Sequence, residues 1–330
     1  MTGSTILFRS VLSESLQRFV AYKRALGCRF DVEEKTLRLL DRYLIEQHLR
    51  GVDQITPEVL NAFLASRPRT RPRSYNHLLG TVRRLFNWLV QQGLLPRSPL
   101  QAPAKRQTAQ RIPFIFDSTA ARRLLEVAGG LKDNARAPMR GRIYRTIFAL
   151  LYGLGLRVSE VTRLCIRDVD FQRRLLVIRE TKFYKSRLVP FGPRVGDLLR
   201  DFLAARGRES EQPAADAPLF SFLGDHFINP GTISQTFHAL VPQLQLPLES
   251  GASPPRLHDL RHSFAVGTLL RWYRTGLDPR GRLLQLSTFL GHVDPVSTAV
   301  YLTISEALLH EANRRFESFA QPVIEKGGTP

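Results

Sequence analysis

Four prolines between Gly93 and Pro113 divide this chain. Pro96, Pro99, Pro103 and Pro113 fix φ and remove backbone donors, so neither a helix nor a central strand runs through that stretch. It reads as a linker, residues 96–113, with basic side chains at Lys105, Arg106 and Arg111. The 330 residues then fall into an N-terminal domain, 1–95, and a larger one, 114–330. Each is long enough to bury a core, and a hydrophobic content of 43% supplies it.

The first domain reads as a helical bundle. Leu12–Leu26 and Glu33–Leu49 carry apolar residues at helical spacing, with Gly27 and Gly51 as stops. Thr56 caps a third helix, Pro57–Ala65, with proline at its first position. Ser74 is the expected cap of a fourth, Tyr75–Gln91. Leu78, Val82, Leu85 and Leu89 form its buried stripe; Asn76, Gly80, Arg83 and Asn87 lie opposite.

Charge singles out that polar face. The chain carries 48 Lys or Arg against 29 Asp or Glu, a net +19. A folded protein this basic usually meets a polyanion. Residues 1–112 hold 19 basic and 8 acidic side chains, and between Val59 and Phe116 ten Lys or Arg meet no acid at all. A solvated face normally mixes signs; this one suits phosphates. Arg73, Asn76, His77, Arg83, Arg84, Asn87, Lys105 and Arg106 are therefore the candidate contacts to double-stranded DNA.

The second domain reads as mostly α. Helices are expected at Asp117–Ala128, Tyr144–Tyr152, from Gly192-Pro193 to Ala205, and at Thr232–Leu240, Leu257–Tyr273, Leu283–Leu290, Ser297–Leu302 and Ser305–Phe319. Arg174–Glu180 and Arg187–Phe191 are β-rich and joined by a turn, which makes a small antiparallel hairpin. Asp168 and Asp170 read as a polar lead-in to it. His258 and Arg261, three apart, share a helical face. With His292 and Tyr301 they compose a set that can bind a phosphodiester and attack it.

Five motifs extend that set: GLRVSE (155–160), TKFYKSRLVP (181–190), LHDLRHSFA (257–265), LGH (290–292) and STAVYLTIS, which contains Tyr301. In this order and spacing they make the chain resemble the tyrosine recombinases, the phage-integrase and Xer-like site-specific DNA recombinases. The resemblance covers nearly the whole chain. It implies a mainly α, two-domain fold: an N-terminal helical-bundle core-binding domain and an α-rich catalytic domain with a small antiparallel β-sheet. One departure is visible: Arg261 and His292 lie 31 residues apart, with the extra residues expected around Trp272–Arg282.

The resemblance also implies the chemistry. Tyr301 is the nucleophile that forms a 3′-phosphotyrosyl link. Arg157 and Arg261 hold the non-bridging phosphate oxygens, for which a guanidinium fork is suited. His258 accepts the tyrosine proton or hydrogen-bonds the phosphate, and His292 adds a phosphate hydrogen bond. Lys182, favoured over Lys185, protonates the leaving 5′-oxygen. Glu160 supports the site. His262, about 100° around the helix from Arg261, is expected to be structural.

The function expected is therefore that of an integrase or transposase of a mobile element, or of a resolvase. The other readings are a non-catalytic DNA-binding protein on the same scaffold and a type IB topoisomerase-like enzyme. No phosphate-binding loop appears, and neither a cofactor nor a metal is expected. The partners implied are DNA and further copies of the chain, in a synaptic tetramer joined through the C-terminal helix, with partner recombinases or accessory factors. Two cysteines, Cys28 and Cys165, make no disulfide framework, and no apolar run spans a membrane. A cytoplasmic, nucleoid-associated protein is the expectation.

Overall fold

The computed structural model describes residues 8–106, 111–179, 186–209, 214–224, 226–248, 254–292, 294 and 296–303. Two compact units divide the chain, Met1–Gln110 and Arg111–Pro330. Among the described residues, no helix is long and apolar enough to cross a membrane.

The first unit is built from α1 (Ser13–Ala25), α2 (Asp31–Glu46), α3 (Pro57–Ala65) and α4 (Pro72–Gln91). Thr56 caps α3 as expected, accepting a hydrogen bond from the Val59 amide. The start of α4 differs from the sequence reading. Pro72, not Ser74, opens it: proline's fixed φ suits the first turn, where its missing N–H costs nothing. Leu78, Val82, Leu85 and Leu89 are buried against Leu16, Phe19, Leu37, Leu40 and Phe63. Phe86 and Trp88 join them, so α4 is the axis of this core.

Residues 96–106 of the expected linker 96–113 take part in the same unit. Leu100 and Ala102 enter its core. The Asn76 amide donates to the Lys105 carbonyl at 2.8 Å and accepts from the Lys105 amide at 2.8 Å. Arg83 Nη2 donates to the Ala102 carbonyl at 2.8 Å. Lys105 Nζ lies over the Tyr75 ring, 4.6 Å from its centroid.

The second unit surrounds α6 (Arg140–Leu154), which is buried along most of its length. Around it pack α5 (Ser118–Gly129), α8 (Pro193–Glu209), α9 (Pro230–Leu240) and α10 (Asp259–Arg274). Asp117 caps α5 by accepting from the Ala120 amide at 2.7 Å. The single-turn helix α7 (Val158–Val161) follows α6. The sheet has three strands in order β1 (Val169–Asp170), β2 (Leu175–Ile178) and β3 (Arg187–Pro190), all antiparallel. The hairpin was legible; the extra strand β1 stands where a polar lead-in was expected. Register pairs Leu176 with Val189 and Ile178 with Arg187.

The region around Trp272–Arg282 is helical. α10 runs on to Arg274, Gly276 adopts positive φ, and Pro279 opens α11 (Pro279–Leu290). Trp272–Arg282 thus forms the end of α10, a short turn and the start of α11, and not a long loop. A short helix α12 (Val296–Ala299) and a 3₁₀ turn bring the chain to Tyr301. The expected C-terminal helix, Ser305–Phe319, lies outside the described residues.

The Asn76 clamp gives a direct test. Two net hydrogen bonds of about 1 kcal/mol each correspond to roughly a tenfold or larger rise in local opening when lost. Asn76→Ala is expected to speed tryptic cleavage after Lys105 and Arg106 by about that factor, with the global unfolding midpoint little changed. An unaltered cleavage rate would show that the clamp does not hold the segment.

Candidate active site

The site forms where α11 ends. Gly291 has φ 68°, and its amide bonds the Thr288 carbonyl at 3.0 Å; the His292 amide bonds the Ser287 carbonyl at 3.0 Å. That is a Schellman closure. It leaves the next three carbonyls without helical partners, and three arginines from three other elements take them. Arg187 Nε donates to Phe289 O at 2.9 Å, Arg261 Nη2 to Leu290 O at 2.7 Å, and Arg157 Nη2 to Gly291 O at 2.8 Å. Cations at a helix C-terminus are also favoured by its dipole.

Two glycines permit this approach. A Cβ on Gly291 would lie 2.8 Å from Arg187 Nη1. At Gly155, with φ 60°, a Cβ would lie 2.5 Å from Phe264 and 2.9 Å from Leu290. The Gly155 carbonyl accepts a further bond from Arg261 Nη1 at 2.6 Å. Gly155 of GLRVSE is therefore required by the packing of Phe264 and Leu290, and Gly291 of LGH by the approach of the Arg187 guanidinium.

Glu160 is the carboxylate that organises the cluster. Its Oε1 accepts from Arg157 Nη1 at 2.7 Å and Arg187 Nη1 at 2.8 Å; its Oε2 accepts from Arg187 Nη2 at 2.9 Å and the Arg157 amide at 2.9 Å. Arg187 thus forms a two-pronged pair with it. The sequence reading passed Arg187 over. Its signal was there: strand alternation places Arg187 on the inward face with buried Val189, two residues on.

Arg261 is 1% exposed. Two of its nitrogens are engaged by carbonyls, while Nε is buried with no hydrogen-bond partner among the described residues. Burial, then the charge of Arg157, brings its pKa down to about 9, with Glu160 opposing. It stays charged at neutral pH. Arg157, half-buried, completes a cationic set with one acid among three guanidinium groups.

Tyr301 is buried among Ala265, Val266, Leu269, Leu286 and Leu290. Burial raises its phenol pKa, against the opposing charges of Arg261 and Arg157. His292 stacks on it, with centroids 6.3 Å apart and planes at 22°, and is held by Thr298 Oγ1 at 2.7 Å from Nδ1. His258 stands at the head of α10, its ring 4.8 Å from that of His262.

His262 corrects the sequence reading. Its Nδ1 lies 3.0 Å from Tyr301 Oη. Seen from Arg261 alone it points about 100° away around the helix. Measured from His258, four residues back, it stands about 40° around the helix, on the neighbouring face. His258 therefore sits between Arg261 and His262, and all three face the site.

Arg157, Glu160, His258, Arg261, His292 and Tyr301 thus occupy one region; Lys182 and Lys185 lie outside the described residues. In the first unit, Arg73, His77, Arg84, Asn87, Lys105 and Arg106 are exposed, whereas Asn76 and Arg83 are half-buried and committed to residues 102–105. Arg84 leans towards Glu33, 3.7 Å away. The expectation that Asn76 and Arg83 present free side chains is corrected: the polar face of α4 binds its own chain.

Comparisons with known proteins give consistent results. The model of the Phage integrase family matches residues 118–307. Two Sinorhizobium fredii (strain NBRC 101917 / NGR234) proteins named as integrase/recombinases are 34% and 29% identical to the chain. Each alignment covers 93% of this chain, with 98% and 96% of the relatives. Tyrosine recombinase XerC of Pelobacter propionicus is 30% identical over 71% of this chain and 70% of its own. Two solved structures share the fold with TM-scores of 0.62. The XerH recombinase bound to difH has 17% identity, covering 92% of this chain and 85% of that one. The Tn1549 transposon integrase bound to circular-intermediate DNA has 16%, covering 92% and 99%.

Protonation sets the acid stability of this site. Burial pushes a carboxyl pKa up, but the hydrogen bond and charge of Arg187, with Arg157, hold Glu160 at about 2 against an ordinary 4.5. Its contribution is present above pH 4.5 and lost as pH falls through about 2. Burial and neighbouring positive charge hold His258 and His292 at about 4 against 6.5. Between those values the unfolded chain binds protons that the folded one excludes, so stability also falls there. Urea unfolding is expected to weaken from pH 6.5 to 4 and again towards 2. Glu160→Ala is expected to cost about 3 kcal/mol at neutral pH, by leaving half-buried Arg157 and Arg187 without their carboxylate, and to flatten the lower stage. A variant as stable as the parent would remove Glu160 from its organising position.

Proposed function

The chain belongs to the Phage integrase family, the tyrosine recombinases, and we propose that it cleaves and rejoins double-stranded DNA at a specific site through a 3′-phosphotyrosyl intermediate. One observation carries the catalytic reading: a cluster of three guanidinium groups with a single carboxylate, directly beside a buried tyrosine. Such a cluster needs an anion, and a tyrosine beside it needs an electrophile.

Tyr301 Oη attacks the scissile phosphorus, and the 5′-oxygen leaves. Arg157 and Arg261 hold the non-bridging oxygens and stabilise the charge that builds in the transition state. The unpartnered Nε of Arg261 supports this reading, since a buried donor of that kind calls for an acceptor. His258 and His292, neutral at pH 7, offer further hydrogen bonds to the phosphate. Lys182 protonates the leaving 5′-oxygen. Glu160 and Arg187 orient Arg157 and touch no substrate. The phosphotyrosyl ester keeps the energy of the broken bond, so a 5′-hydroxyl alone reverses the step.

The domain reading follows from this chemistry. The first unit is the core-binding domain, holding the duplex through Arg73, His77, Arg84, Asn87, Lys105 and Arg106. The second is the catalytic domain. Four copies assemble on paired sites, with the apolar stripe of residues 305–319 docking on a neighbouring copy. Exposed Leu284, Val296 and Val300 on α11 and beyond offer an apolar surface for it.

The test is covalent trapping on a nicked duplex carrying the site recovered by binding selection, with metal chelated. The parent chain is expected to form an adduct. Tyr301→Phe is expected to bind the same DNA within about threefold and form none, and Arg261→Ala to slow adduct formation by about 10²–10³. An adduct with Tyr301→Phe would overturn the assignment of the nucleophile.

A further inference from the structure

We infer that His262, and not His258, is the group that receives the Tyr301 phenolic proton during DNA cleavage. The inference rests on the function proposed above. Four observations carry it. His262 Nδ1 is 3.0 Å from Tyr301 Oη, within reach of direct proton transfer. The rings stand 5.4 Å apart at 58°, so the nitrogen meets the hydroxyl edge-on and does not stack against it. His258 packs on His262 edge to face, 4.8 Å between centroids, and steadies its ring. Both histidines rise from consecutive turns of α10, whose next residue inward, Arg261, is fixed at both ends by carbonyls.

The ring is in the right state for the task. Burial lowers the His262 pKa, so imidazole is neutral at working pH. In the tautomer with hydrogen on Nε2, Nδ1 accepts from the phenol. A buried tyrosine is a poor nucleophile while it keeps its proton, and burial holds that proton more tightly here.

The step balances. A bond forms between Tyr301 Oη and phosphorus as the bond from phosphorus to the 5′-oxygen breaks. The phenolic proton moves to His262 Nδ1, which becomes imidazolium, and the 5′-oxygen takes a proton from Lys182. Religation runs the same transfers backwards: His262 returns its proton to the departing Tyr301 oxygen.

This assignment separates three roles on one helix. Arg261 binds the phosphate, His258 stands between as a phosphate donor and ring support, and His262 handles the proton. It also gives purpose to a residue one position from Arg261, which spacing from that arginine alone assigned to packing.

The experiment compares single-turnover adduct formation by the full chain and its variants on the nicked duplex. The parent forming an adduct and Tyr301→Phe forming none establishes the underlying reaction; failure there is a failure of the proposed function and not of this inference. Given that control, His262→Asn is the informative variant. Its amide oxygen replaces Nδ1 as an acceptor but is not basic. Both His262→Asn and His262→Ala are expected to keep far-UV circular dichroism and DNA affinity and to lose about 10²–10⁴ in cleavage rate. A duplex with sulfur as the bridging 5′ atom needs no leaving-group proton. It is expected to restore Lys182→Ala and leave His262→Asn slow. Imidazole added to His262→Gly is expected to recover part of the rate.

Two outcomes would overturn the inference. One is His262→Asn cleaving within about threefold of the parent, which would reduce the contact to positioning. The other is rescue of His262→Asn by the sulfur substrate, which would move the residue to the leaving-group side.

Discussion

The shared carboxylate of Glu160 is the interaction on which the site in the second unit depends. It bonds Arg157 and Arg187 together, and both then reach carbonyls at the end of α11. Without it, two like charges would face each other in a half-buried setting, at a cost of several kcal/mol. With it, the turn after α6, the strand β3 and the end of α11 are fixed relative to one another. Arg261 adds α10 by bridging Gly155 and Leu290. Four separated stretches of chain thereby meet at one point.

The geometry of helix ends makes this possible. A Schellman closure at Gly291 uses the amides of residues 291 and 292 for the carbonyls of 288 and 287. The carbonyls of 289, 290 and 291 then turn outward, and guanidinium groups are the side chains with enough donors to reach them and still have N–H groups left. Arg187 spends all three nitrogens on the carbonyl of Phe289 and on Glu160, whereas Arg261 keeps its Nε unpartnered among the described residues. Glycine at 291 leaves room for the Arg187 guanidinium, 2.8 Å from where a Cβ would stand, and glycine at 155 leaves room for Phe264 and Leu290, at 2.5 and 2.9 Å.

Electrostatics divides the labour beside it. Burial keeps the histidines neutral and the tyrosine protonated, while Arg261 stays charged at neutral pH although burial and the charge of Arg157 bring its pKa down to about 9. A neutral imidazole can accept a proton; an imidazolium cannot. The Tyr301 phenol is thus restrained by its own desolvation, with a positive cluster at hand to favour its anion.

Much of this was legible in the sequence because it is local. The proline-opened cap marked Pro57–Ala65 to the residue, and β-rich composition marked the antiparallel pair of β2 and β3. The order of the five motifs carried the family and the mainly α fold, and it singled out Arg157, Glu160, His258, Arg261, His292 and Tyr301, which the structure brings into one region. What the sequence did not carry were contacts between residues distant along the chain. Arg187 looked like one basic residue among 48, because its partner Glu160 lies 27 residues away. Asn76 and Arg83 looked like free polar side chains, because the segment they hold is 19 to 29 residues off. His262 looked structural, because a helical wheel fixes direction but not what stands opposite; Tyr301, 39 residues later, does. Local patterns of spacing and charge determined which elements form and which chemistry is available. Only tertiary packing decided which donor meets which acceptor, because hydrogen bonds and ion pairs act over about 3 Å, a distance that sequence separation does not encode.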